Sequence, residues 1–195
     1  MREPEVNSVD KLEAAYAAKA RAELADADVV GGAGPDSWDG PVVGTRIAFL
    51  VAHRAAPAPA AILPDRTADA VARAAEALGV ADAVFVMVTR PVAGACPEDR
   101  ARRLRIALES VDAPAVIALD AESAEDLASA FELDLLRPGT PERAMGRSLG
   151  FVGEFSVSLD DASAKAKAWS AMKAVAAQAG IAGKRQPPAP REAQT

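Results

Sequence analysis

The sequence predicts an α/β fold, a three-layer α/β/α sandwich around a central, mainly parallel four-stranded sheet. Three observations predict it. Short runs rich in β-branched residues and apolar at nearly every position alternate with helical segments of a dozen or so residues, which implies strands buried on both faces between helical layers. The length of 195 residues suits one domain with a single sizeable core. With 48 alanines and only eight aromatic residues, that core must draw its bulk from Val, Leu and Ile.

Each element follows from a local pattern. Leu12, Tyr16, Ala20 and Leu24 recur every four positions behind Asn7 or Ser8, predicting a surface helix over Ser8 to Asp28. Gly31 to Gly44, with Pro35, Trp38 and Pro41 among its glycines, reads as a long loop. Arg46 to Val51 is the first buried strand. A helix opens at Pro64 and Asp65, presents Ala68, Val71, Ala72, Ala75 and Leu78 on one side, and closes at Gly79. Ala83 to Val88 is the second strand, Pro97 to Ser110 an arginine-rich helix, and Ala115 to Leu119 the third strand. Asp120 or Ser123 caps a helix to Phe131. An irregular segment from Arg137 to Gly150, a weak fourth strand near Val152 to Val157 and a last helix from Asp161 to Gln178 complete the pattern. The expected organisation is a helix and loop over residues 1–44 packed on a domain of residues 45–180, with a disordered Pro-rich tail over 181–195.

Composition narrows the chemistry. A net charge of −6 and a pI near 4.9 argue against holding nucleic acid through overall charge. One cysteine, Cys96, and one histidine, His53, exclude an intrachain disulfide, a four-ligand Cys/His zinc site and a four-thiolate iron–sulfur cluster, so no metal and no cofactor are expected. The N-terminus is acidic and polar, without a secretory pattern, and the longest apolar run, Ile47 to Ala52, falls far short of the roughly 20 residues that span a bilayer. A cytoplasmic protein without membrane contact is the expectation.

In parallel sheets ligands bind at the carboxyl ends of the strands, which directs attention to the loops after Val51, Val88, Leu119 and Val157. His53 and Arg54 follow the first strand, where a general base with an anion-binding neighbour would stand, although a solvated loop histidine is the commoner arrangement. Thr89 and Arg90 close the second strand and join them as binding candidates. Arg100, Arg102, Arg103 and Arg105 put four positive charges in six residues, enough for a phosphate-contacting face and more often the outer side of an amphipathic helix; Arg102 and Arg103 are the binding candidates there. Gly31-Gly-Ala-Gly34 precedes the first strand and so lacks the strand-to-helix context of a phosphate loop. Cys96 reads as incidental. Trp169 is expected to dock the last helix on the sheet, while Asp160, Asp161, Glu122, Glu125 and Asp126 suit helix N-termini electrostatically.

Taken as an ordered series, residues 46 to 177 resemble the uracil-DNA glycosylase superfamily. Arg46 to Val51 is similar to its first core strand, and Ala83 to Arg90 with Pro91 and the helix over Glu98 to Glu109 to its next strand, loop and helix. Asp112 to Leu119 resembles its "RPKVIVALG" strand. Gly150 to Lys173 resembles its closing segment, with Ala164-Lys165, Ala168-Trp169 and Met172-Lys173 matching "AKxxVWxxLK". The resemblance implies a glycosylase-like scaffold. Its functional loops are altered: "GEAPG" falls on Val51 to Ala55, which lacks the water-activating acid, and the "HP" that stabilises the departing base falls on Glu154-Phe155. A carboxylate there opposes the negative charge that develops on the base. The psi accessory subunits of bacterial DNA polymerase III, similar in a short first strand and in the pattern of Ala164 to Trp169, have a catalytically empty fold of this kind.

The resemblance therefore implies a glycosylase-like domain that has lost base excision and serves as a binding or accessory protein, with a partner in the DNA repair or replication machinery and at most weak DNA binding. The first alternative is an active, divergent glycosylase that uses His53 or Glu154 on a flipped base. The second is a nucleotide- or small-molecule-binding domain.

Overall fold

A computed structural model describes residues 8–31, 36–55, 61–92 and 94–181. The expected cap at Asn7, most of the Gly31 to Gly34 run, the prolines at 57 and 59 and the tail from 182 lie outside the described residues. Helix α1 (Ser8–Gly31) leads to strands β1 (Trp38–Asp39) and β2 (Ile47–Val51). There follow α2 (Asp65–Leu78), β3 (Val84–Val88), α3 (Pro97–Val111), β4 (Ala115–Ala118) and α4 (Ala121–Ala130). The chain closes with β5 (Glu142–Ala144), β6 (Arg147–Phe151), α5 (Phe155–Ser158) and α6 (Ala162–Gln178).

The strands form one mixed sheet in the order β1-β3-β2-β4-β6-β5. Its four inner strands are mutually parallel, and β1 and β5 add antiparallel edges. The α/β class is as the sequence predicts, with six strands among the described residues in place of four. All five residues of β2 are buried and split by the two-residue period of a strand. Ile47, Phe49 and Val51 enter a core layer with Val71 and Leu78 of α2 and Met172 and Val175 of α6. Ala48 and Leu50 enter a second layer with Leu24 of α1, Leu104 and Leu108 of α3 and Leu127 of α4. Helices thus cover both faces. Fully burying a side chain such as Phe49 or Leu50 contributes roughly 1.5–3 kcal/mol.

Two expected elements are corrected. The fourth parallel strand is Arg147–Phe151, almost wholly within the segment expected to be irregular, while the stretch Val152 to Val157, expected as a strand, is a loop over 152–154 followed by the first three residues of α5. Polar residues and Gly150 hide β6 in the sequence. Its glycine is needed because a Cβ there would come within 2.2 Å of Val175 Cγ2, so α6 lies directly against the strand. Met145 and Gly146, with φ of 48° and 80°, close a two-residue hairpin from β5 whose left-handed backbone matches the twist of the strands. The second correction concerns the expected loop from Gly31 to Gly44, which contains β1; Trp38 stacks on Phe85 of β3 at 5.7 Å between ring centroids.

Helix α2 keeps its expected limits, ended by Gly79 at φ 74°. It is turned slightly from the expected face: Thr67 and Ala74 are buried and Ala72 is exposed. Helix α1 is only half covered. Ala20, Leu24 and Ala27 pack on the domain, whereas Leu12 and Tyr16 of the same stripe are exposed. At the covered end Asp28 accepts from Arg103 Nε at 3.1 Å and Nη2 at 2.9 Å, pinning α1 to α3.

Candidate functional site at the strand ends

Backbone hydrogen bonds continue past the parallel strands and hold their exit loops in register. Thr89 N donates to Val51 O and Arg90 N to Ala52 O, both at 2.8 Å, and Leu119 N donates to Leu50 O at 2.9 Å. Phe155 N donates to Leu119 O at 2.9 Å. His53, Arg54, Thr89, Arg90, Asp120 and Glu154 are thereby brought to one end of the sheet. Beside them is a cleft of about 190 Å³, lined by His53, Arg54 and Asp120 against Val51, Leu119 and Phe155.

The start of α4 is the organising point of this end. Asp120 caps the helix, its Oδ1 accepting from Ser123 N at 2.7 Å while Ser123 Oγ accepts from Asp120 N, a reciprocal capping box. Its other oxygen accepts from Ala52 N at 2.9 Å, tying the first loop to the third. Glu154 Oε1 accepts from Ala121 N at 2.9 Å. A helix N-terminus favours negative charge through its unpaired N–H groups and its dipole. Here two carboxylates of the chain already satisfy it.

The second cluster is built around Asp126, one turn into α4 and buried. Asp126 Oδ2 accepts from Thr89 Oγ1 at 2.7 Å and from Arg90 Nε at 2.9 Å; Oδ1 accepts from Arg90 Nη2 and Arg100 Nε, each at 3.2 Å. Arg90 also donates to Glu122 Oε1 at 2.6 Å and Glu125 Oε2 at 3.1 Å. The Asp126 hydrogen bond raises the Arg90 pKa above its ordinary value against the opposing effect of burial, with Glu125 and Glu122 adding to the rise. His53 Nε2 lies 3.0 Å from Glu122 Oε2. Two guanidiniums thus face three carboxylates, so the cluster neutralises its own cations and presents no surplus positive charge to a phosphate.

The arginines of α3 do not share a surface. At 100° per residue Arg100 and Arg103 turn inward while Arg102 and Arg105 turn outward. Arg103 is 1% exposed and donates to Asp28, to Ser37 Oγ at 2.7 Å and to Val88 O at 2.8 Å. Burial pushes its pKa down, and Asp28 partly restores it. Arg105 pairs with Glu109 and Glu132. Arg102 is exposed. The expected phosphate-contacting face therefore retains Arg102 but not Arg103, whose guanidinium is a buried structural charge.

Cys96 caps α3, its Sγ accepting from Asp99 N at 3.4 Å. That amide favours the thiolate, but the Asp99 carboxylate and Glu98 outweigh it and push the thiol pKa up. Among the described residues no group of three or more His, Cys, Asp or Glu side chains is disposed to hold a metal ion, and no helix is long and apolar enough to cross a membrane.

In the sequence Asp126 reads only as a charge suited to a helix N-terminus, and Asp28 only as the end of the first helix. Asp126 offered one signal, its spacing of three from Ser123, which places both on the inward side of α4. Asp28 offered none, because its partner lies 75 residues away. No protein-family model matches the chain, and no curated protein matches it significantly.

Proposed function

We propose that this chain is a glycosylase-like domain without base excision, acting as a binding or accessory protein in DNA repair or replication, with a protein partner and at most weak, salt-sensitive contact with DNA. One observation carries the reading. The two positions that the resemblance assigns to chemistry, Ala52 and Glu154, are both tied to the start of α4, Ala52 through its N–H to Asp120 and Glu154 through its carboxylate to Ala121 N. Ala52 has no side chain to orient water. Glu154 brings negative charge toward the place where a departing base needs donors, and loss of even one such donor typically costs about a hundredfold to a thousandfold in rate. The four parallel strands with helices on both faces support the scaffold half of the reading, with β1 and β5 as added edges.

The decisive assay is release of uracil from single-stranded and duplex oligonucleotides. No release is expected from the natural chain. None is expected from Glu154→His either, because the defect at Ala52 persists. The competing reading, an active divergent glycosylase, draws on the His53–Glu122 contact beside the cleft, a pair able to hold a water. Robust excision abolished by His53→Ala would establish that reading and overturn the accessory one.

A further inference from the structure

On the face of the sheet covered by α2, α5 and α6 a groove of about 360 Å³ runs between α2 and α6. Its floor is made of the methyl groups of Ala70, Ala74 and Ala77 with Phe155 and Met172. Alanines at these positions on α2 leave the depression open, since longer side chains there would narrow it. Trp169, half-buried, forms one wall. The rim is cationic. Arg66 and Arg73 stand on α2, two turns and about 10 Å apart, and Lys165 faces them from α6; no carboxylate is among the lining side chains. Asp160 compensates Arg66, and Arg73 with Lys165 leaves a local reversal of sign over an apolar trough on a chain of net charge −6. It shares only Phe155 with the cleft at the strand ends.

We propose that this groove docks an acidic segment of a partner protein that carries apolar side chains, its carboxylates meeting Arg73 and Lys165 and its apolar groups entering the trough. Charge complementarity selects the acidic character, and the alanine floor selects apolar anchors. A single-stranded nucleic acid would use the same cations but needs open aromatic faces for its bases. Here Lys173 Nζ already lies 5.5 Å over the Trp169 ring, and the floor of methyl, thioether and phenyl groups has no partner for a base edge. Arg66 is held by Asp160 and Leu159 O, so it shapes the end of the groove, while Arg73 and Lys165 make the recognising contacts. The inference goes beyond the accessory reading, since a chain active in excision would bind such a segment equally.

The test uses the full chain and a fluorescein-labelled peptide of about twelve residues in which pairs of Glu alternate with Leu and Phe. Its Gln-for-Glu analogue and a thymidine dodecanucleotide serve as comparisons. Anisotropy should show saturable binding of the acidic peptide, weakened by salt, and at least tenfold weaker binding of the neutral analogue. Arg73→Glu with Lys165→Glu should weaken the acidic peptide about tenfold or more, and because both side chains are exposed the melting temperature should hold. Equal affinity for the two peptides, no loss in the reversed variant, displacement of the peptide by the oligonucleotide, or no saturable binding below about 1 mM would each overturn the proposal.

Discussion

Replacing Asp28 by alanine should be among the most damaging single substitutions in this protein, because it strands a buried guanidinium. Arg103 is 1% exposed, and four of its donor contacts are accounted for: two to Asp28 Oδ1, one to Ser37 Oγ and one to Val88 O. Ser37 itself donates to Asp28 Oδ1 at 2.9 Å, so the carboxylate serves three donor atoms of two buried side chains. Removing one partner of a buried ion pair costs about 3–5 kcal/mol, chiefly through the charge left behind. In a domain of this size that corresponds to a fall in melting temperature of about 6–20 °C, at roughly 2–4 °C per kcal/mol. Circular dichroism melts and urea titrations measure it. Asp28→Asn should lie between, retaining an acceptor without the charge. Asp28→Leu with Arg103→Met should recover part of the loss, since it removes the stranded charge and leaves only the neutral Ser37 hydroxyl and Val88 carbonyl without their partners. The substitution should also loosen α1, whose covered face is little more than Ala20, Leu24 and Ala27, and trypsin should then cut faster at Lys19 and Arg21. A loss below about 1 kcal/mol, or a double variant as unstable as the sum of its singles, would refute the reasoning.

Asp126→Ala should cost about 2–3 kcal/mol by urea titration, because Thr89, fully buried, loses the carboxylate that accepts its hydroxyl, and Thr89→Val in the same background should return part of it. Gly150→Ala should destabilise by about 1–3 kcal/mol through collision with Val175, and Val175→Ala should relieve it so that the pair costs less than the sum, a coupling that a double-mutant cycle reads directly. Arg102→Glu should leave the melting temperature unchanged, since the side chain is exposed, and should weaken any DNA binding measured at low salt. Arg103→Glu should instead unfold the protein whether or not DNA is present.

What the sequence determined by itself was the alternation of strands and helices and most of their limits, because these follow from local periods and caps. Val71, Ala75 and Leu78 on one side of α2, Gly79 at its end, and Asp120 and Asp161 at two helix starts are short-range signals that the tertiary structure had no reason to override. The strand at Arg147–Phe151 was not legible, since Gly150 is there for the approach of α6, a contact with Val175 25 residues further on. The candidate site divides in the same way. That residues 53, 54, 89 and 90 stand at the carboxyl ends of parallel strands follows from strand direction alone. Which of them are already engaged does not. Arg90 is closed off by carboxylates 32 to 36 residues away, and Arg103 is drawn inside by Asp28, 75 residues away. A charge in sequence reads as a surface residue because an unpaired charge cannot be buried. Only the fold supplies the partner that permits burial, and pairing at such separations leaves no local trace.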